Sequence, residues 1–288
     1  MHLFDEPKID THCHVLDPAR FPYAPDVAYR PTGQEVAPLD QYEQVMGGYG
    51  IRHALFVGPN SGYGLDNRCL LDTLARGQGR FKGIAVVPND VSNEALVALR
   101  GQGVIGIALN ATVLGVDAVR AAAPLLRRLP ALGLLISLQV EHDQLVELRG
   151  VVEDSGVTVL VDHAGRPKAG AGIEQAGFQA LLAMARNGRT AVKLSGYQKY
   201  SNESPPHGDV RPFIDALIEH YTLDACLWAS DWPFLRAPQR QDVGPLLRQV
   251  ERLLPDPADR RKLFWDTPCR WLGFDPHADR APAAAATA

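Results

Sequence analysis

Two histidines spaced two apart, His12 and His14 in Asp10-Thr11-His12-Cys13-His14, are the first residues of this chain suited to chemistry. Ile9, Thr11 and Cys13 alternate with Asp10, His12 and His14, and strand side chains alternate faces, so the two imidazoles project to one side. Neutral imidazoles placed like this hold a divalent metal, or exchange protons beside a bound carbonyl. The plainer alternative is two satisfied polar residues at a strand end. Only partners from elsewhere in the chain decide between the two.

Two further groups qualify as partners. His163 ends a continuous apolar run, Val157 to Asp162, in the sharply turned segment Asp162-His163-Ala164-Gly165-Arg166-Pro167. Asp231 follows the run from Ala225 to Trp228, in Ala229-Ser230-Asp231-Trp232-Pro233. A core histidine and a helix cap are the bland readings. Against the second, a carboxylate buried between Ser230 and Trp232 is costly unless paired. Together His12, His14, His163 and Asp231 make a candidate mononuclear site: the imidazoles polarise a carbonyl, directly or through a metal, while Asp231 takes a proton from water. The end of strand four, Ala108-Leu109-Asn110, offers no Lys or Glu to bridge two ions, which argues against a binuclear centre. Loops supply candidate substrate contacts. Phe21 to Pro31 is rich in proline and aromatics, with Tyr29 and Arg30 within it, and Gly58 to Arg68 offers Asn60 and Ser61 as donors. That second loop matches neither the P-loop nor the dinucleotide fingerprint.

These groups meet only if the fold brings distant strand ends together. From Lys8 onward, short apolar runs alternate with segments of helical period: strands at His53–Val57, Lys82–Val87, Val104–Leu109, Leu134–Gln139, Val157–Asp162, Thr190–Ser195 and from Ala225, and helices such as Ser92–Gly101, Asp117–Leu129, Val210–Tyr221 and Pro257–Trp265. Runs apolar throughout suit strands buried on both faces, and eight such units predict a single-domain α/β (β/α)8 TIM barrel over residues 1–276, with a flexible tail at 277–288. A doubly wound open sheet is the runner-up. In a barrel all four candidate residues lie at one end.

Composition narrows the partners. The chain has 288 residues, a formal net charge of −4 and scattered Lys and Arg, so it lacks the electrostatic footprint for nucleic acid or anionic membrane. A small molecule is the expected partner. The four cysteines show no C-x-x-C spacing, there is no signal-peptide pattern or membrane-length apolar run, and a cytoplasmic location is expected; the oligomeric state stays open.

With these residues in place, the chain resembles the amidohydrolase superfamily from Lys8 to about Trp271, and within it the small barrel hydrolases that include the 2-pyrone-4,6-dicarboxylate lactonases. The motifs are those already quoted, together with Phe21-Pro22-Tyr23-Ala24-Pro25, Asp66-Asn67-Arg68 and Lys193-Leu194-Ser195. The resemblance implies lactone hydrolysis, with Asp231 as the base, the three histidines around the carbonyl, and Tyr29, Asn60, Ser61 and Lys199 lining the substrate pocket. It also implies at most one divalent metal, zinc first, in a branch where some members work without an ion. Two positions depart from the pattern: Ala108 and Lys199 stand where those relatives carry arginine. A lysine meets a carboxylate as a point charge and loses the bidentate geometry. The reaction type is therefore better supported than a dicarboxylate substrate; a sugar-acid lactonase, a metal-dependent nonoxidative decarboxylase and a non-catalytic anion-binding barrel are the alternatives.

Overall fold

The computed structural model of the protein describes residues 2–27 and 29–278. Eight strands form one sheet in chain order: β1 (Lys8–Cys13), β2 (Ile51–Val57), β3 (Phe81–Ala85), β4 (Val104–Asn110), β5 (Leu135–Gln139), β6 (Val159–Val161), β7 (Thr190–Leu194) and β8 (Cys226–Trp228). Each pairs in parallel with the next. Helical segments link consecutive strands, so the expected (β/α)8 barrel is what forms. The barrel interior takes Ile9, Leu55, Ile84, Leu135, Leu160 and Leu227, and Trp265, Leu272 and Phe274 from the C-terminal segment pack against that cluster. The remaining apolar faces of the strands bury against the helices in a larger, separate cluster.

Two expected helices differ in detail. Asp117–Leu129 breaks into Val116–Ala121 and Ala123–Leu126, because Pro124 lacks an N–H and crowds the preceding turn. The last helix outruns Trp265, continuing from Pro257–Arg261 through a π-turn at Lys262–Asp266 to Thr267–Leu272. Ser92 caps its helix as expected, its hydroxyl accepting from the Ala95 N–H at 3.2 Å. All four cysteines are buried. Among the described residues no helix is long and apolar enough to cross a membrane. Of the expected tail, residues 279–288 lie outside those described.

The ring closes between β8 and β1 through a seam rather than a regular ladder. Its main-chain part is a bridge between Cys13 and Trp232, with the Asp231 N–H donating to the His12 carbonyl at 2.9 Å and the His14 N–H to the Trp232 carbonyl at 2.8 Å. Side chains do the rest. Thr11 Oγ1 donates to the Trp228 carbonyl at 2.8 Å, and the wholly buried Asp10 accepts from the Ser230 N–H at 2.9 Å and the Ser230 hydroxyl at 2.5 Å. Burial pushes the Asp10 carboxyl up to about 6 despite these bonds, which leaves it mostly ionised at neutral pH.

At the start of β1, Lys8 is wholly buried, and its ammonium donates to the carbonyls of Leu3 (2.6 Å), Glu6 (2.7 Å) and Tyr49 (3.0 Å). Three donors meet three acceptors, so removing the ammonium orphans three carbonyls at once. Lys8→Met is expected to lower stability by about 3 kcal/mol, read as a fall in the urea midpoint, because each buried unpaired carbonyl costs about 1–3 kcal/mol and Met recovers only packing. A loss below about 1 kcal/mol would show that the carbonyls find other partners.

Candidate active site

At the C-terminal ends of the strands a cavity of 520 Å³ opens, lined by His12, His14, Asp162 and Asp231 among others. Both early imidazoles face it although Ile9 points into the barrel, and simple alternation from Ile9 would turn them away. A register irregularity between Asp10 and Cys13 resets the face. The spacing of the pair was therefore informative, whereas its direction depends on the bulge.

The seam then sets Asp231 opposite them. Its Oδ1 lies 3.5 Å from His163 Nε2 and 3.9 Å from His12 Nε2, and all three residues are only 1% exposed. Its Oδ2 accepts from Lys199 Nζ at 3.0 Å and from Gln198 Nε2 at 3.2 Å. Burial pushes the Asp231 carboxyl up, but the Lys199 ammonium and the neighbouring histidines outweigh it and hold the group well below the usual carboxylate range. Asp231 is thus an ionised base with one oxygen neutralised and the other turned to the imidazoles.

Each imidazole is fixed through Nδ1. His12 Nδ1 lies 3.3 Å from Asp162 Oδ1 and 3.2 Å from Lys193 Nζ, which holds the ring from behind and leaves Nε2 toward Asp231. His14 Nδ1 donates to the Val57 carbonyl at 2.7 Å, so its proton sits on Nδ1 and Nε2 carries the lone pair. His163 Nδ1 meets Ser195 Oγ at 3.0 Å. Burial pushes the His14 imidazole down to about 4 and the His163 imidazole well below its ordinary value, so both stay neutral at physiological pH. Gly196, at φ +65°, lets the His163 ring lie where it does: a Cβ there would sit 2.7 Å from the ring.

Beneath His12 lies a group of buried charges. Asp162 Oδ1 accepts from Lys193 Nζ at 2.8 Å and from Ser137 Oγ at 2.8 Å, and Lys193 also donates to Ser137 at 2.9 Å. Burial pushes the Asp162 carboxyl up, but Lys193, and then His12, hold it well below its usual range. The backbone is strained at this end of the barrel. His163, Ala164, Arg166 and Asp231 all adopt positive φ (52°, 55°, 46° and 60°), a region that costs a non-glycine residue on the order of 1–3 kcal/mol. Main-chain bonds hold these turns, among them Asp231 to His12 and the His142 N–H to the Arg166 carbonyl at 3.0 Å.

The donor set fits one divalent ion. One ligand atom each from His12, His163 and Asp231 lie within 4.8 Å of one another, the histidines are held from behind, and no second cluster of this kind occurs among the described residues. Of the four expected ligands, His12, His163 and Asp231 make up this group. His14 lines the cavity with its ring centroid 5.0 Å from that of His12, but it falls outside the mutual group.

Of the expected substrate contacts, Asn60, Ser61 and Lys199 line the cavity. Tyr29 is not among the lining residues: its hydroxyl bonds Glu35, and the Arg236 guanidinium lies 5.5 Å above its ring. Ala108 lines the cavity, so the arginine-free end of β4 does face the ligand space. Sequence reasoning gave no role to Ser137, Lys193 or Arg236. For Lys193 a signal existed, since a lysine inside the apolar strand Thr190–Leu194 needs a buried carboxylate. For Arg236, on an irregular loop after β8, there was none.

A family model of the amidohydrolases matches residues 9–274, and with this barrel and this histidine–aspartate site the chain belongs to that family. Among characterised relatives it is similar to a 4-sulfomuconolactone hydrolase of Rhizobium radiobacter, 33% identical over 274 residues that span 92% of this chain and 89% of that one. It is also similar to a 2-pyrone-4,6-dicarboxylate hydrolase of Comamonas testosteroni, 28% identical over 280 residues that span 91% and 88%. Among solved structures, a Pseudomonas putida protein described as a candidate 2-pyrone-4,6-dicarboxylic acid hydrolase superposes with a TM-score of 0.84 at 29% identity, covering 96% of this chain and 99% of that one.

The neutral imidazoles make stability depend on pH with a definite sign. Unfolded, His14 takes up a proton near pH 6.5; folded, it refuses one until about 4. The unfolded chain therefore binds more protons between those values, and its preference for the neutral form stabilises the fold above pH 6.5 and is lost as pH falls toward 4. In the presence of chelator, that residue alone should cost on the order of 3 kcal/mol across the window. His14→Asn, whose amide nitrogen takes the place of Nδ1 toward the Val57 carbonyl, should flatten the slope of urea midpoint against pH; an identical slope in both proteins would refute the assignment.

Proposed function

We propose that this protein is a hydrolase that opens a lactone, with Asp231 as the base that activates water. One observation carries the reading: a buried, ionised carboxylate presents Oδ1 to two imidazoles at the floor of an open cavity, while Lys199 neutralises its other oxygen. The relatives named above, hydrolases of a muconolactone and of a pyrone dicarboxylate, support the choice of a cyclic ester.

In this reading Asp231 Oδ1 takes a proton from a water lying between it and the imidazoles, and the water oxygen bonds to the lactone carbonyl carbon. Collapse of the tetrahedral intermediate breaks the bond to the ring oxygen, which recovers the proton from Asp231. The product is an open-chain hydroxy acid or its keto tautomer. Asp162 and Lys193 keep His12 from rotating, and Ser195 does the same for His163. His12, His163 and Asp231 would hold one divalent ion, zinc by the chemistry of the donors, with His14 beside them. When bound, such an ion polarises the carbonyl and acidifies water.

Asp231→Asn should lower kcat by roughly 10³-fold while a cyclic, non-hydrolysable analogue still binds. Turnover within tenfold of the parent would remove Asp231 from the base role. Exhaustive chelation should abolish lactone opening and added zinc should restore it. Full activity after chelation would leave the imidazoles acting on the carbonyl directly, without an ion.

A further inference from the structure

The carboxylates facing the cavity are matched by cations one for one, with a single cation left over. Asp162 pairs with Lys193 at 2.8 Å, Asp231 with Lys199 at 3.0 Å, and Glu141 with Arg166 at 3.3 Å. Arg236 also lines the cavity, and among the described residues its guanidinium has no carboxylate partner. The nearby acid, Glu35, is committed elsewhere: it accepts the main-chain N–H of Arg236 at 2.6 Å and bonds the Tyr29 hydroxyl. Tyr29 in turn places its ring beneath the Arg236 guanidinium at 5.5 Å, which orients the fork without neutralising it. The backbone at Arg236 is held in the left-handed region, φ +56°, by these loop contacts.

The opposite wall is different in kind. The end of β4 and the turn after it contribute Ala108, Leu109, Asn110, Thr112 and Val113, all uncharged. Asn110 is occupied locally, its Oδ1 capping Thr112 and Val113, and the Thr112 hydroxyl accepts from Gln139. A second anionic group on that side would be desolvated with no cation to meet it.

On the lactone-hydrolase reading, we infer that Arg236 is the residue that selects the substrate's charge, and that the substrate class is a lactone with one anionic group. That group, a carboxylate or sulfonate, lies on the β8 side against the Arg236 fork, and an uncharged substituent lies against β4. A planar guanidinium already held over an aromatic ring suits bidentate contact with such an anion. The class differs from the dicarboxylate named for the Comamonas relative, because this chain places its unmatched cation on the loop after β8 and none at the end of β4.

The test uses three lactones of one ring size: a monocarboxylate, its carboxamide and a dicarboxylate. The parent enzyme should open the monocarboxylate with a kcat/KM at least tenfold above either of the others. In Arg236→Met the ratio of kcat/KM for carboxylate over carboxamide should fall at least tenfold, through KM rather than kcat, and Arg236→Lys should recover part of it. An unchanged ratio, or a parent preference for the dicarboxylate, would overturn the inference. Calorimetric titration with a cyclic ether monocarboxylate, which cannot be hydrolysed, separates this result from the reaction assignment. Binding weakened tenfold in Arg236→Met supports the anchor even if no lactone is opened, whereas equal binding by the two proteins overturns it even if lactones are turned over.

Discussion

The join between β8 and β1 is the constraint on which the rest of the site depends. Seven of the eight neighbouring strand pairs are held by parallel ladders, two of them interrupted by register shifts. The eighth rests on one bridge, two main-chain bonds at the top and the side chains of Asp10 and Thr11 below. Because that join lies directly under His12 and Asp231, the same contacts that close the ring set the distance between base and imidazole. Asp10 has no partner role in the chemistry, yet it ties together two segments 220 residues apart. Its burial is tolerated because two Ser230 donors meet one of the costliest groups in the interior.

A second organising feature is how much charge the site buries and how completely it is paired. Lys193 and Asp162 cancel below His12, and Lys199 cancels half of Asp231. An unpaired ion at such depth would shift its pKa and neutralise; here Asp162 and Asp231 are held ionised and His14 and His163 neutral. This division of protonation states, together with left-handed backbone at His163 and Asp231, is a preorganised arrangement whose strain the surrounding main-chain bonds hold in place.

Much of the architecture was legible because barrel strands are buried on both faces and read as uninterrupted apolar runs, as Val159–Val161 does. Helix limits were less so, since Pro124 and the π-turn before Thr267 act through local geometry that hydrophobic period does not record. His12, His163 and Asp231 could be singled out because strand ends converge once the ring is granted. The facing of His12 could not, because it depends on a bulge. Arg236 was invisible for another reason: its significance lies in lacking a carboxylate, and pairing is a property of three-dimensional neighbours that no spacing encodes.

The bonds from Glu35 to the Arg236 N–H and to the Tyr29 hydroxyl join the excursions that follow the first and last strands. Those two excursions therefore behave as one module. A chimaera that imports only the segment after β8 from a related barrel would strand the Glu35 carboxylate, and one that imports only the segment after β1 would strip the arginine of its aromatic support. Exchanges meant to retarget this scaffold should transplant both stretches together, and natural drift in one is expected to have been accompanied by drift in the other.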